Sequence, residues 1–145
     1  MILFSSALEL DVNINNIMNN LIVDAAKDKI FLTLIIDKNI YTCSHENSKI
    51  NFEKMIILID DFLKINKSSM SKITAIYVNR GPGSFAGIRN SLAMTKALFL
   101  TKKIEYYCFS FKDFEGEDEV KYEDVPNLCE KFKIKKNLIN PIYLS

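Results

Sequence analysis

Residues 73–89 read ITAIYVNRGPGSFAGIR, and the order of chemistry within them decides the fold. Ile73 to Asn79 is apolar on both alternating faces, which predicts a strand buried on both sides in the middle of a sheet. Gly81-Pro82-Gly83-Ser84 breaks that strand with turn-forming residues. From about Phe85 to Leu100 the apolar positions Ile88, Leu92, Met94 and Leu98 suit a helix, and Ile104 to Phe109 returns to a strand. A strand–helix–strand unit of this kind is expected to form a right-handed parallel crossover.

Working outward toward the N-terminus, Leu21 to Asp24 is a short β-branched run, and Ala26 to Lys29 turns it. Ile30, Leu32, Leu34 and Ile36 then share one face of a strand, with Phe31, Thr33 and Ile35 on the other. Asp37-Lys38-Asn39 is turn chemistry, and Ile40 to Ser44 supplies a third strand, so an antiparallel meander is expected. The period then changes. Phe52, Met55, Ile56, Ile59, Phe62 and Leu63 recur at helical spacing over about 51–66, with Asn51 as N-cap and Lys67-Ser68-Ser69 as the stop. The order βββ-α-β-α-β predicts an α/β fold, a mixed sheet with a helical layer.

Beyond Ser110 the acidic run from Asp113 to Asp124 reads as a linker. Val125 to Phe132 reads as a short helix after Pro126, and Asn140 to Leu144 as an apolar tail. Three regions result: an N-terminal extension at 1–18, a folded domain at 19–112, and a linker with a remnant tail at 113–145. Glu9 and Asp11 interrupt the first apolar run and no basic segment precedes it, so a secretory signal is not expected. Residues 1–17 read equally as an extension and as sequence upstream of a start at Met18.

Composition bounds the function class. The chain has 145 residues, 48% hydrophobic and 26% charged, with mean hydropathy +0.03. That is a globular composition with no run of about 18 apolar residues, so neither wholesale disorder nor a membrane span is expected. Nineteen basic and 18 acidic residues leave a net charge of +1, which provides no electrostatic footprint for nucleic acid. Cys43, Cys108 and Cys129 lack the spacing of a disulfide framework or a zinc site and are expected as reduced, buried thiols in the cytoplasm.

The turn Arg80-Gly81-Pro82-Gly83-Ser84-Phe85-Ala86-Gly87 has two readings. A helix start presents unpaired N–H groups to an anion, and glycines allow close approach, so the turn is a candidate anion or nucleotide contact. Alternatively it is a tight turn in which Ser84 caps the following helix. It is not a P-loop, because no Gly-Lys-Ser/Thr follows. His45 is the single histidine and reads as a surface residue; no metal or cofactor site is expected. Ser84 lacks the context of a hydrolase nucleophile. Asp24 could face a phosphate or a metal, or cap a turn. Both helices are apolar over much of their circumference, which points to a partner surface. Phe52, Met55, Ile56, Ile59 and Leu63 are its candidates on the first helix, and Gly87, Ile88, Ser91, Leu92 and Thr95 on the second. Gly87, Ser91 and Thr95 form a small-residue row along which another helix could approach.

The motif from Arg80 to Arg89, followed by Leu92-Ala-Met-Thr-Lys-Ala-Leu98, resembles the TsaB (YeaZ) family, whose motif reads GRGPGSFTGLR before a small-residue helix. Leu21 to Ala25 is similar to that family's opening strand, and Pro141-Ile142-Tyr143-Leu144-Ser145 to its closing Pro-x-Tyr-Leu-Arg. Asn51 and Ala86 depart from the histidine and threonine frequent there, and residues 113–145 stand in place of a second domain. The resemblance implies an actin/hexokinase/Hsp70-like, ribonuclease H-like fold. It also implies a non-catalytic subunit that pairs helix to helix with TsaD, the enzyme transferring threonylcarbamoyl to adenosine 37 of tRNA. Contact with the ATPase subunit TsaE, self-pairing without TsaD, and only indirect contact with tRNA belong to the same expectation. The alternative is an enzyme in its own right, a small nucleotide-hydrolysing or peptidase-like protein of this fold. One histidine and no nucleophile–base pair favour the scaffold.

Overall fold

A computed structural model of the chain describes residues 17–143; the extension expected at 1–17 therefore lies almost wholly outside the described residues. Five strands form one mixed sheet in the order β3-β2-β1-β4-β5. β1 (Asn19–Asp24), β2 (Lys29–Ile36) and β3 (Asn39–Glu46) make the antiparallel meander. β4 (Ala75–Asn79) runs parallel to β1, and β5 (Glu105–Phe109) parallel to β4. All five residues of β4 are buried, as its two-sided apolar sequence requires.

The first helix is two. Ser48, not Asn51, caps α1 (Lys49–Glu53), its hydroxyl accepting from Asn51 N–H at 3.2 Å, while Asn51 Nδ2 donates back to Glu46 O at 2.8 Å. Lys54 leaves the helical conformation, and α2 (Met55–Ile65) begins beyond it. Met70–Lys72 forms a 3₁₀ turn that delays β4 by two residues relative to the apolar run starting at Ile73. The longest helix, α3 (Phe85–Lys102), is stopped by Lys103 in the left-handed region, whose N–H returns to Phe99 O at 3.1 Å.

The strand alternation divides the core in two. Leu21, Val23, Leu32, Ile76, Val78 and Tyr106 point to the side covered by α1, α2 and α3. Ile22, Ala75, Tyr77 and Phe109 point to the opposite side. What covers that second side corrects the linker reading of 113–124. Phe114 is buried there with Val125 and Cys129 of a short helix, α4 (Val125–Lys131), and Phe111, Tyr122 and Phe132 close round them. Phe114 stacks on Phe109 at 6.0 Å and meets Phe132 at 5.7 Å. Glu115, Asp118, Glu119 and Asp124 are exposed beside this aromatic layer and Asp113 is half-buried against Arg80, so charge counting alone misreads the stretch. The tail then returns along β5, with Asn137 N–H donating to Tyr106 O at 2.8 Å and Asn137 Oδ1 accepting from Tyr106 N–H at 3.0 Å.

Candidate functional site: the motif turn and the outer helical face

The motif turn is built against the end of β1. Asn79 Oδ1 accepts from Gly81 N–H at 2.9 Å, and Gly81 takes φ +106°, a conformation natural to glycine. Ser84 N–H donates to Ala26 O at 2.8 Å, and Ser84 Oγ accepts from Gly87 N–H at 3.2 Å, capping α3. A methyl group at Gly83 would overlap the Ala26 carbonyl, and one at Gly87 the Ala25 carbonyl. The glycines therefore admit a neighbouring backbone of the same chain. Arg80 is also engaged internally: its guanidinium meets Asp113 at 2.7 Å and donates to Asn140 O at 3.1 Å, while its own carbonyl accepts from Ile142 N–H at 2.7 Å. Pro82 is half-buried beside it, and Phe85 is exposed with its ring 4.7 Å from that of Tyr143. In this geometry Arg80 to Gly87 is a packed turn rather than an open anion cradle.

Asp24 is wholly buried at the end of β1. One carboxylate oxygen accepts from Ala26 N–H at 3.0 Å, the turn-capping contact. The other accepts from Tyr122 O–H at 2.6 Å and lies 3.7 Å from Lys27 Nζ. Tyr122 is a partner the sequence reading missed, since 98 residues separate the two. Burial, and then the Asp24 charge, push the Tyr122 phenol well above its ordinary range, so it remains a proton donor. His45 is half-buried on the edge strand β3, 3.8 Å from Cys43 Sγ. Among the described residues no group of three or more His, Cys, Asp or Glu is placed to hold a metal. Cys108 and Cys129 are buried, and burial pushes their thiols up to about 11 and about 12, which keeps them protonated and unreactive at neutral pH. Cys43 is only half-buried, and burial raises it too.

The candidate partner residues separate into two sets. Met55, Ile59, Leu63, Ile88, Ser91, Leu92 and Thr95 are buried within the chain, and Gly87 sits against β1. Ser91 Oγ donates to Ile88 O at 3.1 Å and Thr95 Oγ1 to Ser91 O at 2.7 Å. The row Gly87–Ser91–Thr95 is thus the face by which α3 lies on its own sheet, a correction to its reading as a docking row. Small residues are needed there because α3 crosses β1 at close range. Ile56, by contrast, is exposed, and Phe52 is half-buried. They lie with exposed Ile57 along a shallow groove of about 320 Å³ whose opposite wall is Ala93 and Met94 of α3. Outward along α3 run Ala86, Asn90, Ala93, Ala97 and Leu100, a second small-residue stripe that the sequence reading overlooked. Only the placement of the inner stripe on the sheet distinguishes the two. Among the described residues no helix is long and apolar enough to cross a membrane.

A family model described as TsaD: tRNA N6-adenosine threonylcarbamoyltransferase matches residues 46–110, from the end of β3 to just beyond β5. The chain is 32% identical over 80 residues to the tRNA threonylcarbamoyladenosine biosynthesis protein TsaB of Buchnera aphidicola subsp. Baizongia pistaciae, a match covering 46% of this chain and 36% of that protein. Among solved structures, YeaZ from Pseudomonas aeruginosa superposes with a TM-score of 0.59 at 18% identity, covering 64% of this chain and 44% of the other. A crystal structure titled as an uncharacterized protein with similarity to peptidase YEAZ from the same organism gives the same score over 43% of its length. The chain thus spans less than half the length of these relatives, and at 18% identity the structural likeness speaks for the fold alone. With the mixed α/β sheet, the motif turn from Arg80 to Arg89 and the TsaB match in one molecule, the chain is similar over part of its length to proteins of the TsaB/YeaZ family.

Proposed function

We propose that the chain is a non-catalytic subunit in threonylcarbamoyladenosine biosynthesis on tRNA, and that it pairs with TsaD through the outer faces of α2 and α3. The observation that carries this reading is the outward apolar surface of those two helices. Ile56, Ile57 and Leu100 are 44%, 59% and 60% exposed, and the small stripe of α3 beside them lets a partner helix approach closely. The name of the Buchnera relative supports the process. The family model names a transferase, but the residues it matches contain no histidine and include a motif whose arginine and glycines serve internal packing. That favours an accessory role over transfer chemistry in this chain.

The test is pull-down and titration against TsaD from the same source. Ile57→Asp and Ala97→Asp each place a charge in the proposed contact without touching the core. Each is expected to weaken binding about thirtyfold, the roughly 2 kcal/mol of an interface hot spot, with the melting temperature unchanged. Undiminished binding by both variants overturns the assigned surface. The purified chain alone is expected not to turn over ATP, peptide, or threonylcarbamoyl-adenylate with tRNA. Turnover that follows this protein through repurification overturns the accessory role.

A further inference from the structure

A second cavity, of about 490 Å³, lies on the other flank of α3, between that helix and the returning tail. That volume is within the usual size range of small-ligand sites. Arg89 and Lys96 stand at its rim, seven residues apart on one helix face and so about 10 Å apart along the axis. Neither is ion-paired among the described residues, and no acidic side chain lines the cavity. Lys96 Nζ rests 5.2 Å from the Phe99 ring centre, and Phe99 meets Tyr106 edge-on at 5.6 Å. Tyr106 is wholly buried yet lines the cavity, and its hydroxyl has no hydrogen-bond partner. Burial raises its ionisation, so the hydroxyl is a donor at neutral pH. Asn137 Oδ1 is occupied by Tyr106 N–H, which leaves its amide nitrogen to donate.

Arginine and lysine side chains have no acceptor. The polar groups of the cavity therefore offer donors and positive charge, while Leu92, Ile139 and Pro141 supply apolar walls. A buried polar atom without a partner is costly to the fold, so a ligand that satisfies Tyr106 gains accordingly. From this arrangement we infer that the cavity binds an amphipathic organic anion, its carboxylate or phosphate held by Arg89, Lys96 and the Tyr106 hydroxyl and its apolar body against the tail. The site adjoins the α2–α3 surface assigned to TsaD, sharing Ala93 with it, but its charged rim and tail wall are not part of that surface.

Calorimetric titration of the full chain with octyl phosphate, octanoate, octanol and inorganic phosphate tests the inference. At least one of the two amphipathic acids is expected to bind saturably, and octanol and inorganic phosphate at least tenfold more weakly. The two acids distinguish a phosphate head from a carboxylate. Arg89→Gln with Lys96→Gln is expected to cost tenfold or more in affinity for the acid, and these exposed positions leave the fold intact. Tyr106→Phe is expected to weaken binding severalfold while the melting temperature holds or rises, since it removes an unpartnered hydroxyl. The inference is overturned if neither acid saturates, if octanol or inorganic phosphate binds as tightly as the acids, or if the double variant binds unchanged.

Discussion

At Gly87 the first turn of α3 crosses the end of β1 so closely that the Ala25 carbonyl occupies the place of a side chain. Backbone, unlike a flexible side chain, has nowhere to retreat. Gly87→Ala is therefore expected to destabilise the fold by about 3 kcal/mol, a drop of roughly 10 °C on thermal melting. Ser91→Leu, at a wholly buried position one turn further on, is expected to lower the melt similarly, with little change in TsaD affinity per folded molecule. A melt that holds while TsaD binding fails would return this row to the interface. The motif itself was legible as a strand–turn–helix junction. Which side of the helix its small residues serve was not, because small residues suit a close partner and a close sheet equally. The pair Ala25-Ala26, small residues opposite small residues, is the sequence signal that decides it.

Among the elements, the segment from Phe111 to Phe132 does most to complete the molecule. It lays an aromatic layer on a sheet face that would otherwise expose Ile22, Tyr77 and Phe109. Phe114→Ala removes the centre of that layer and is expected to cost about 3–5 kcal/mol. Phe85→Ala, at a 56% exposed ring, serves as the comparison and should cost under 1 kcal/mol, on the order of other surface changes. Equal urea midpoints for the two variants would show that the layer is not part of the cooperative core. The meander and the crossover were readable because their pairing follows from alternation and from short connections. The aromatic layer was not, since Phe111, Phe114, Tyr122 and Phe132 have no common period and gain their meaning only from the sheet beneath. The break at Lys54 was equally hidden, because apolar spacing runs across it without interruption.

For the molecule as a whole, protons held by the native state set the response to alkali. Tyr77 and Tyr122 are raised by burial first, with neighbouring charge adding to it, and the Cys108 and Cys129 thiols sit at about 11 and about 12. The unfolded chain releases these protons near pH 8.5 for the thiols and near pH 10 for the phenols. Above about pH 8.5 the native state binds more protons than the unfolded one, so stability falls as pH rises and is fully present below that point. The urea midpoint is expected to drop between neutral pH and about pH 10, and Cys129→Ala to flatten the decline, since the thiols are the groups whose unfolded-state protons leave in that window. A midpoint independent of pH over that range contradicts the assignment. Arg80 has a consequence of another kind. Its contacts reach 33 residues forward to Asp113 and 60 to Asn140, and its carbonyl waits for Ile142. Closing loops of that length is entropically costly before the contacts reward it. On a ribosome delivering the chain N-terminus first, the Asn79 and Ala26 contacts of the turn are available early, whereas its tie to the tail forms only once Ile142 has emerged. The last residues thus act as a clasp, set after the sheet and α3 are in place.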